Sequence, residues 1–225
     1  MAGESPDLGL GKGSSGMVSK TVRTMQTAPA EPDLPLRPAR LEDCRRIAEL
    51  FRISSDGIAD YIWSTLQDDY PGQAPIEIGR QRYARENTAF SYQNCVVAER
   101  DGAVVALLHA FAITASDGAR AADDVDPVLR PYAELEAPGS LYISALAVMP
   151  EWRGQGLGSR LLDAARERAR TLGCPALSLI CFAENSGARR LYQRQGFTVV
   201  DRRAVVPHPM IHATCEALLM SAPVP

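Results

Sequence analysis

Apolar residues recur every three to four positions in two segments, and this spacing predicts two amphipathic helices. The segments are RLEDCRRIAELFRIS, residues 40–54, and LGSRLLDAARERARTLG, residues 157–173. The residues expected on the buried faces are Leu41, Cys44, Ile47, Ala48 and Phe51 in the first helix and Leu157, Leu161, Ala165, Ala169 and Leu172 in the second. Gly173 and Pro175 mark the end of the second helix, because glycine terminates helices and proline cannot continue them.

Shorter apolar runs predict the strands. NCVVAERDGAVVALLHAFAI, residues 94–113, is expected to form two strands joined at Asp101-Gly102, a dipeptide typical of tight hairpins. SLYISALAVMP and ALSLICF flank the long helix and are expected to pair in parallel. The other predicted strands are LRPA, FTVVDRRAVV and TCEALLMS, and the other predicted helices are GIADYIWSTL, IEIGRQRYARE, PVLRPYAELE and SGARRLYQRQG. This order predicts a single α/β (α+β) domain with an open mixed sheet flanked by helices.

Composition and charge narrow the class of protein. Residues 1–35 are rich in Gly, Ser, Pro and Ala, and their apolar residues follow neither the helical nor the strand period. We therefore expect a flexible tail there and a folded domain at 36–225. The net charge of −3 gives no general attraction to nucleic acid or anionic membranes, and no apolar run is long enough to span a bilayer. The five scattered cysteines suit reduced thiols in a cytoplasmic protein better than disulfides or zinc, so no metal site is expected.

The stretch MPEWRGQGLGSRLL places three glycines where a strand gives way to the long helix. Gly154, Gly156 and Gly158 alternate behind Arg153. Because a helix start presents free backbone N–H groups and the positive end of the helix dipole, and glycine lets an anion approach them, the stretch predicts a phosphate or pyrophosphate site. A tight turn that needs only backbone freedom is the alternative. The dinucleotide pattern G-x-G-x-x-G fails, because Ser159 stands at its last glycine.

Several motifs, in order, resemble the GNAT superfamily of acyl-CoA-dependent N-acetyltransferases. They are the strand end LAVMP, the loop R-x-x-G-x-G, Asn185 after the next strand, and LYQRQGF. The resemblance covers roughly 190 residues, clearly in the second half of the chain and loosely before it, where LRPARLEDCRRIAELF resembles the family's first strand and helix. It implies a central mixed sheet of about seven strands, splayed at the strand that binds the cofactor.

The resemblance also implies a reaction and roles for particular residues. Acetyl-CoA is the implied co-substrate, its pantetheine arm pairing with the strand at 141–148, and the acetyl group moves directly to a primary amine in a ternary complex. The implied cofactor-binding residues are Leu146, Ala147, Val148, Arg153, Gly154, Gln155, Gly156, Leu157, Gly158, Ser159 and Asn185. Tyr192, seven residues after Asn185 and able to share its helical face, is implied to stabilise or protonate the leaving thiolate. A packing role is the alternative for Tyr192.

The sequence departs from the family where the amine must lose its proton. Several family members carry a glutamate on the cofactor strand, and the matching residue here is Tyr142, with Ser144 two positions along the same face. We therefore expect a water relay at Tyr142 and Ser144 instead of a carboxylate. Other candidates, each more typical of a structural or solvated residue, are Glu134, Glu136, His109 and His212.

Two segments are expected to border the acceptor amine. One is the loop after residue 115, whose acidic side chains would attract a cation. These side chains are Asp117, Asp123, Asp124, Asp126, Glu134 and Glu136. The other is DYIWSTL, where Asp60 stands beside Tyr61 and Trp63, a combination that suits an ammonium group. A solvated loop and a cover for the core are the respective alternatives.

Two other classes of protein stay open. A non-catalytic acyl-CoA-binding sensor or scaffold of the same fold would keep the glycine loop but would not need Tyr192, which is present. An unrelated nucleotide-binding α/β protein is disfavoured because the third glycine of the dinucleotide pattern is absent from this loop and the Lys-Ser/Thr pair of a Walker A loop is absent as well. The expected partner is a small-molecule or peptide amine, and neither nucleic acid nor membrane is expected. Whether the protein forms a homodimer is left open.

Overall fold

One mixed sheet organises the protein, and its strands follow the predicted order. The structure, a computed structural model, describes residues 34–114 and 125–225. The strands are β1 (Leu36–Pro38), β2 (Cys95–Arg100), β3 (Ala103–Ala112), β4 (Ser140–Val148), β5 (Ala176–Phe182), β6 (Thr198–Ala204) and β7 (Glu216–Pro223). Over the described residues they form a seven-stranded sheet in the order β1-β2-β3-β4-β5-β7-β6, in which only β4 and β5 are parallel. The predicted open mixed sheet is confirmed.

Helices cover both faces of this sheet. They are α1 (Cys44–Ser54), α2 (Ile58–Ser64), α3 (Pro75–Tyr83), α4 (Arg130–Ala133), α5 (Leu157–Leu172) and α6 (Ser186–Arg194). The stripe predicted on α5, including Leu161 and Ala165, is buried in a core that contains residues of β3, β4 and β5. On the opposite face, Ile47 of α1 and Ile78 of α3 are buried in a second core. The single predicted domain therefore has two helical layers with the sheet between them.

Two residues predicted on buried helical faces are exposed. Leu41 is 57% exposed because it lies in a 3-10 turn, Leu41–Asp43, that precedes α1 and does not continue its helical phase. Leu172 is 51% exposed because it is the last residue of α5, where the chain turns through Gly173 toward β5. The amphipathic period therefore predicted both helices correctly but not their terminal residues.

Along its length β4 changes partners, and this change opens the sheet. Its first half pairs with β5, Ser140 opposite Ala176 through Ile143 opposite Leu179, and the two strands part beyond that point. On its other edge the register with β3 shifts, which makes Ser144 the extra residue of a β-bulge. Because a bulge bends its strand and increases the local twist, it accounts for the separation. The predicted splay at this strand is confirmed.

The predicted tail at 1–35 lies almost entirely outside the described residues, so its boundary stays a prediction. Within 34–114 and 125–225, no helix is long and apolar enough to cross a membrane, and no group of side chains is arranged to hold a metal ion. The five cysteines are free thiols, of which Cys215 alone is exposed. Burial raises the pKa of the Cys44 and Cys181 thiols to about 11, so both are protonated at neutral pH.

Candidate functional site

A groove of about 840 Å³ occupies the space where β4 and β5 separate. One end is lined by the loop before α5, the start of α5, and α6. The other end reaches the C-terminal end of α1, where Ile53, Ser54 and Asp56 line it. Since α5 and α1 cover opposite faces, the groove passes through the sheet. An elongated ligand held here can therefore present its end to a second molecule on the α1 side.

Backbone groups of β4 point into this groove. The N–H of Met149 donates to the carbonyl of Val105 on the β3 side at 2.9 Å. Along an antiparallel strand, every second residue directs its backbone N–H and carbonyl toward the neighbouring strand, and the residues between direct theirs to the other side. Since Met149 is bonded to β3, Val148 and Leu146 direct their backbone groups away from β3 and into the gap. Arg153 Nε donates to the Val148 carbonyl at 3.0 Å. The N–H groups of Leu146 and Val148 are therefore available to a ligand.

The start of α5 offers a run of unpaired N–H groups. Gly156 is the N-cap with φ of 77°, a left-handed conformation that glycine adopts without strain, and its carbonyl accepts the N–H groups of Ser159 and Arg160. Five consecutive N–H groups of this loop and helix start have no hydrogen-bond partner in the described part of the chain: those of Gly154, Gln155, Gly156, Leu157 and Gly158. With the helix dipole, they give this loop the capacity to hold an anion.

Gly158 also has a structural role. A Cβ atom at this position would lie 2.9 Å from Cδ2 of Leu191, so glycine allows α5 and α6 to pack closely. Both residues line the groove. The positive φ values of Gly154 and Gly156, 75° and 77°, agree with the tight turn that the sequence left as the alternative, and the anion site stays a prediction. Gly158 meets a packing requirement that neither explanation included.

Three arginines make the α5–α6 end of the groove positive. Arg153 precedes α5, and Arg190 and Arg194 lie one turn apart on α6. Within the described chain, neither Arg190 nor Arg194 has an ion-pair or hydrogen-bond partner. Sequence reasoning missed these two; the signal was a pair of basic residues spaced i, i+4 on the helix that follows Asn185. This concentration of positive charge at one end of the groove suits a polyanionic ligand whose phosphates lie at that end.

Asn185 and Tyr192 both line the groove, Asn185 from the N-cap position of the helix that carries Tyr192. Asn185 is the N-cap of α6, and its Oδ1 accepts the N–H of Ala188 at 3.1 Å, which leaves its amide NH₂ to donate. Tyr192 is 8% exposed, and its ring centre lies 5.7 Å from that of Phe197. Its hydroxyl makes no hydrogen bond with any described residue. Burial raises the pKa of Tyr192, so the hydroxyl keeps its proton at neutral pH.

Tyr142 and Ser144, the expected relay, are not among the residues that line the groove. Ser144 Oγ is hydrogen-bonded to Nδ1 of His109. Since Nε2 of His109 lies 3.0 Å from the carbonyl of Ala89, which can only accept, Nε2 carries the proton and Nδ1 accepts from Ser144. Burial lowers the pKa of His109 to about 4, which keeps the ring neutral at neutral pH. The Tyr142 ring packs against Phe111.

The other predicted acidic residues are held by partners or lie elsewhere. Glu134 pairs with Arg203 at 2.8 Å, and Asp60 pairs with Arg52 at 2.9 Å. Asp126 accepts the Tyr61 hydroxyl at 2.8 Å. Asp117, Asp123 and Asp124 lie outside the described residues. Asp56, which sequence reasoning missed, is the carboxylate that lines the groove in the described part of the chain.

Comparison with known proteins bears on this site. The family model described as "Acetyltransferase (GNAT) family" matches residues 59–197, which span the groove from β4 to α6. The chain belongs to the GNAT acetyltransferase family. The resemblance found in the sequence is thereby confirmed. Of the residues implied to bind the cofactor, all but Gln155 line the groove.

Curated relatives match over about a quarter to a third of this chain. "GCN5-related N-acetyltransferase 4, chloroplastic" of Arabidopsis thaliana is 41% identical over 59 residues, 26% of this chain and 20% of that protein. The chain spans between 20% and 46% of the length of the first three curated relatives that it matches. These relatives are named as acetyltransferases, in agreement with the GNAT assignment.

Solved structures share the fold over most of the chain. A structure described as an acetyltransferase has a TM-score of 0.58 at 23% identity, covering 85% of this chain and all of that one. The PaiA N-acetyltransferase of Thermoplasma acidophilum, solved in complex with coenzyme A, has a TM-score of 0.51 at 16% identity and covers 84% of this chain and 98% of that one. At these identities the likeness shows the GNAT fold.

Proposed function

We propose that the protein transfers an acetyl group from acetyl-CoA to a primary amine by direct attack in a ternary complex. The observation that carries the proposal is the gap between β4 and β5, which runs from the unpaired N–H groups of α5 to Asp56 on the opposite side. The gap has space for an extended acyl-CoA, with phosphate-binding groups at one end and access for an acceptor at the other.

The groups along the gap match the parts of acetyl-CoA in order. The N–H groups from Gly154 to Gly158 and the Arg153 side chain receive the pyrophosphate. Arg190 and Arg194 supply further positive charge for the phosphates. The pantetheine arm carries amide groups, which pair with the free backbone N–H of Val148 and with the side-chain NH₂ of Asn185. Cofactor binding thus uses backbone groups that a side-chain motif alone does not reveal.

The transfer step needs a polarised carbonyl and a stabilised leaving group. The N–H of Leu146, directed into the gap, donates to the thioester oxygen as negative charge develops there. The amine nitrogen forms a bond with the carbonyl carbon, and the carbon–sulfur bond breaks. Tyr192, whose hydroxyl is protonated and free in the groove, donates to the departing sulfur. This chemistry distinguishes an enzyme from a non-catalytic acyl-CoA sensor, which has no use for Tyr192.

The acceptor is proposed to be a small-molecule or peptide amine, and the location in the cytoplasm stays a prediction. A direct test mixes the full chain with acetyl-CoA and a panel of primary amines and follows the release of free thiol. We expect amine-dependent thiol release, and an acetylated amine by mass spectrometry. Saturable acetyl-CoA binding with no release for any amine class would instead favour the sensor. Absence of acetyl-CoA binding would contradict both.

A further inference from the structure

Asp56 occupies the junction between the groove and a second, smaller cleft. It follows α1 in the left-handed region, with φ of 48°, a conformation that aspartate and asparagine tolerate better than most residues. It lines both the groove and a neighbouring cleft of about 350 Å³. That cleft is also lined by Glu49, Arg52, Ile53, Gly57, Asp60 and His212. A molecule entering the cleft therefore meets Asp56 on its way to the groove.

The segment between β6 and β7 fixes the position of Asp56. The backbone N–H of His212 donates to the Asp56 carbonyl at 2.9 Å. The next residue, Gly57, lies so close to this segment that a Cβ atom would stand 1.8 Å from the carbonyl oxygen of Met210. Only glycine fits there, and the contact holds the α1–α2 junction against the loop. The uncommon backbone conformation at Asp56 is thus imposed by its surroundings.

The Asp56 carboxylate is unpaired, in contrast to the other acids of the cleft. Asp60 pairs with Arg52, and Glu49 pairs with Arg45 and Arg46. Asp56 has no side-chain hydrogen bond or ion pair with the described residues. A carboxylate held at a cavity junction without a partner is available to a cationic ligand.

Some of the groups around Asp56 raise the pKa of its carboxyl group, and others lower it. Partial burial raises the pKa of Asp56, Glu184 from the β5–α6 connection raises it further, and His212 opposes them. Tyr132 of α4 is close enough for the carboxylate to raise the pKa of its phenol. The paired acids and Arg52 complete the charges that face the cleft. The net result is a carboxylate that accepts a proton more readily than an exposed aspartate.

We propose that the acceptor enters through the cleft between α1, α2 and the β6–β7 segment as a cationic amine, and that Asp56 binds its ammonium group and takes its proton. This inference rests on the proposed acetyl transfer and names the group that activates the acceptor. One N–H proton moves to an Asp56 oxygen, the neutral nitrogen bonds to the thioester carbon, and the thiolate leaves. The nitrogen's second proton goes to the thiolate by way of Tyr192, and Asp56 returns its proton to water in the cleft.

The Ser144–His109 pair is a poorer route for that proton. A proton passed from Ser144 to Nδ1 of His109 would make the ring cationic inside a cluster of aromatic side chains. The proton on Nε2 is bonded to the carbonyl of Ala89, which cannot pass it on. The pair therefore ends in the protein interior, whereas Asp56 opens to the cleft.

The test compares Asp56→Asn with Asp101→Asn, because Asp101 has nearly the same left-handed backbone, φ of 50°, but lies in the β2–β3 turn outside both the cleft and the groove. Asparagine keeps the backbone conformation and the volume at both positions. With an amine of pKa near 10.4, we expect Asp56→Asn to lower kcat/KM at pH 7 by about a hundredfold or more, and Asp101→Asn by less than about fivefold. With an α-amine of pKa near 8, the loss in Asp56→Asn should shrink at least about tenfold, because more of the acceptor is already neutral.

A purely structural role for Asp56 would affect both amines equally and would leave the shape of the pH profile unchanged. Equal losses, or an Asp56→Asn variant within about threefold of wild type, would overturn this inference while the proposed transferase stands. Larger losses in Ser144→Ala or Tyr142→Phe than in Asp56→Asn would also overturn it, in favour of the relay. The acetyl-CoA affinity and thermal midpoint of each variant are measured alongside. A wild-type protein that acetylates no amine would refute the proposed function and this inference together.

Discussion

His109 and Ser144 are joined by a hydrogen bond at the point where β4 bulges and leaves β5. The bond fixes the extra residue of the bulge against β3, and the bulge sets which backbone groups beyond it face the gap. The direction of the free N–H of Leu146, two residues after Ser144, therefore depends on the His109–Ser144 hydrogen bond. His109 is in this sense a positioning residue for the groove.

Burial of neutral His109 should make the protein less stable in mild acid. Its pKa is lowered to about 4 in the folded state, against 6.5 for an unperturbed histidine. Between these values the unfolded chain binds a proton that the folded chain does not, so stability falls as pH falls, by up to about 1.4 kcal/mol per pH unit. Urea unfolding of wild type and His109→Asn from pH 7 to pH 4.5 measures this. A wild-type slope no steeper than that of His109→Asn would contradict the assignment.

Tyr192 should matter for turnover and not for cofactor binding. If its hydroxyl donates to the leaving sulfur, Tyr192→Phe lowers kcat by about tenfold to a thousandfold while the Kd for acetyl-CoA stays nearly constant. Tyr83→Phe is the control, since Tyr83 is also a buried tyrosine but lies beside Phe51 and does not line the groove. Steady-state kinetics and calorimetry give both quantities. An unchanged kcat in Tyr192→Phe would return Tyr192 to a packing role.

The two glycine caps of α5 offer a controlled test of the anion site. Gly156 and Gly173 have nearly the same left-handed backbone, with φ of 77° and 69°, at opposite ends of the helix. Valine at either position strains the backbone, so both variants should be destabilised by a similar amount. Only Gly156→Val places a side chain over the free N–H groups. Calorimetry should therefore show coenzyme A binding lost in Gly156→Val and retained in Gly173→Val; equal affinity in the two variants would sink the assignment of this loop.

Arg190 and Arg194 should contribute to affinity through charge. Because a hydrogen bond to a charged group contributes about 1.5–3 kcal/mol, we expect Arg190→Ala/Arg194→Ala to weaken coenzyme A binding at least about tenfold at low salt. The difference in coenzyme A affinity between wild type and this double variant should shrink in 1 M salt, where the Debye length falls to about 3 Å. The control is Arg45→Ala, which removes an exposed arginine on α1 outside the groove. A salt-independent effect would point to packing of α6 instead of charge.

Patterns that are local in sequence predicted most of the fold. The hairpin turn at Asp101-Gly102 could be predicted because a tight hairpin turn needs positive φ at both of its central residues, and Asp-Gly tolerates this conformation. The two residues adopt φ of 50° and 80°. The glycine loop and the helix after it could also be predicted, because the strand, the loop and the helix follow one another directly in the sequence. Residues at helix ends, such as Leu41 and Leu172, were predicted wrongly because periodicity does not indicate where a helix stops.

The acceptor side was less predictable because it is assembled from distant segments. Asp56 gains its position only when the β6–β7 segment docks on the α1–α2 junction, through His212 and Met210. Ser144 was singled out by its position on the strand, but its partner His109 became apparent only with the register of β3 against β4. No spacing rule relates residues so far apart in the chain.

Hydrogen exchange of individual backbone amides on addition of acetyl-CoA tests whether the cofactor lies between β4 and β5. Leu146 and Val148 direct their N–H groups into the gap, whereas that of Met149 is bonded to the Val105 carbonyl. Hydrogen exchange followed residue by residue by NMR should show Leu146 and Val148 strongly protected at saturating acetyl-CoA, with little added protection at Met149. If acetyl-CoA saturates the protein and the Leu146 and Val148 amides exchange as fast as before, the cofactor does not lie between β4 and β5, which contradicts the proposed site.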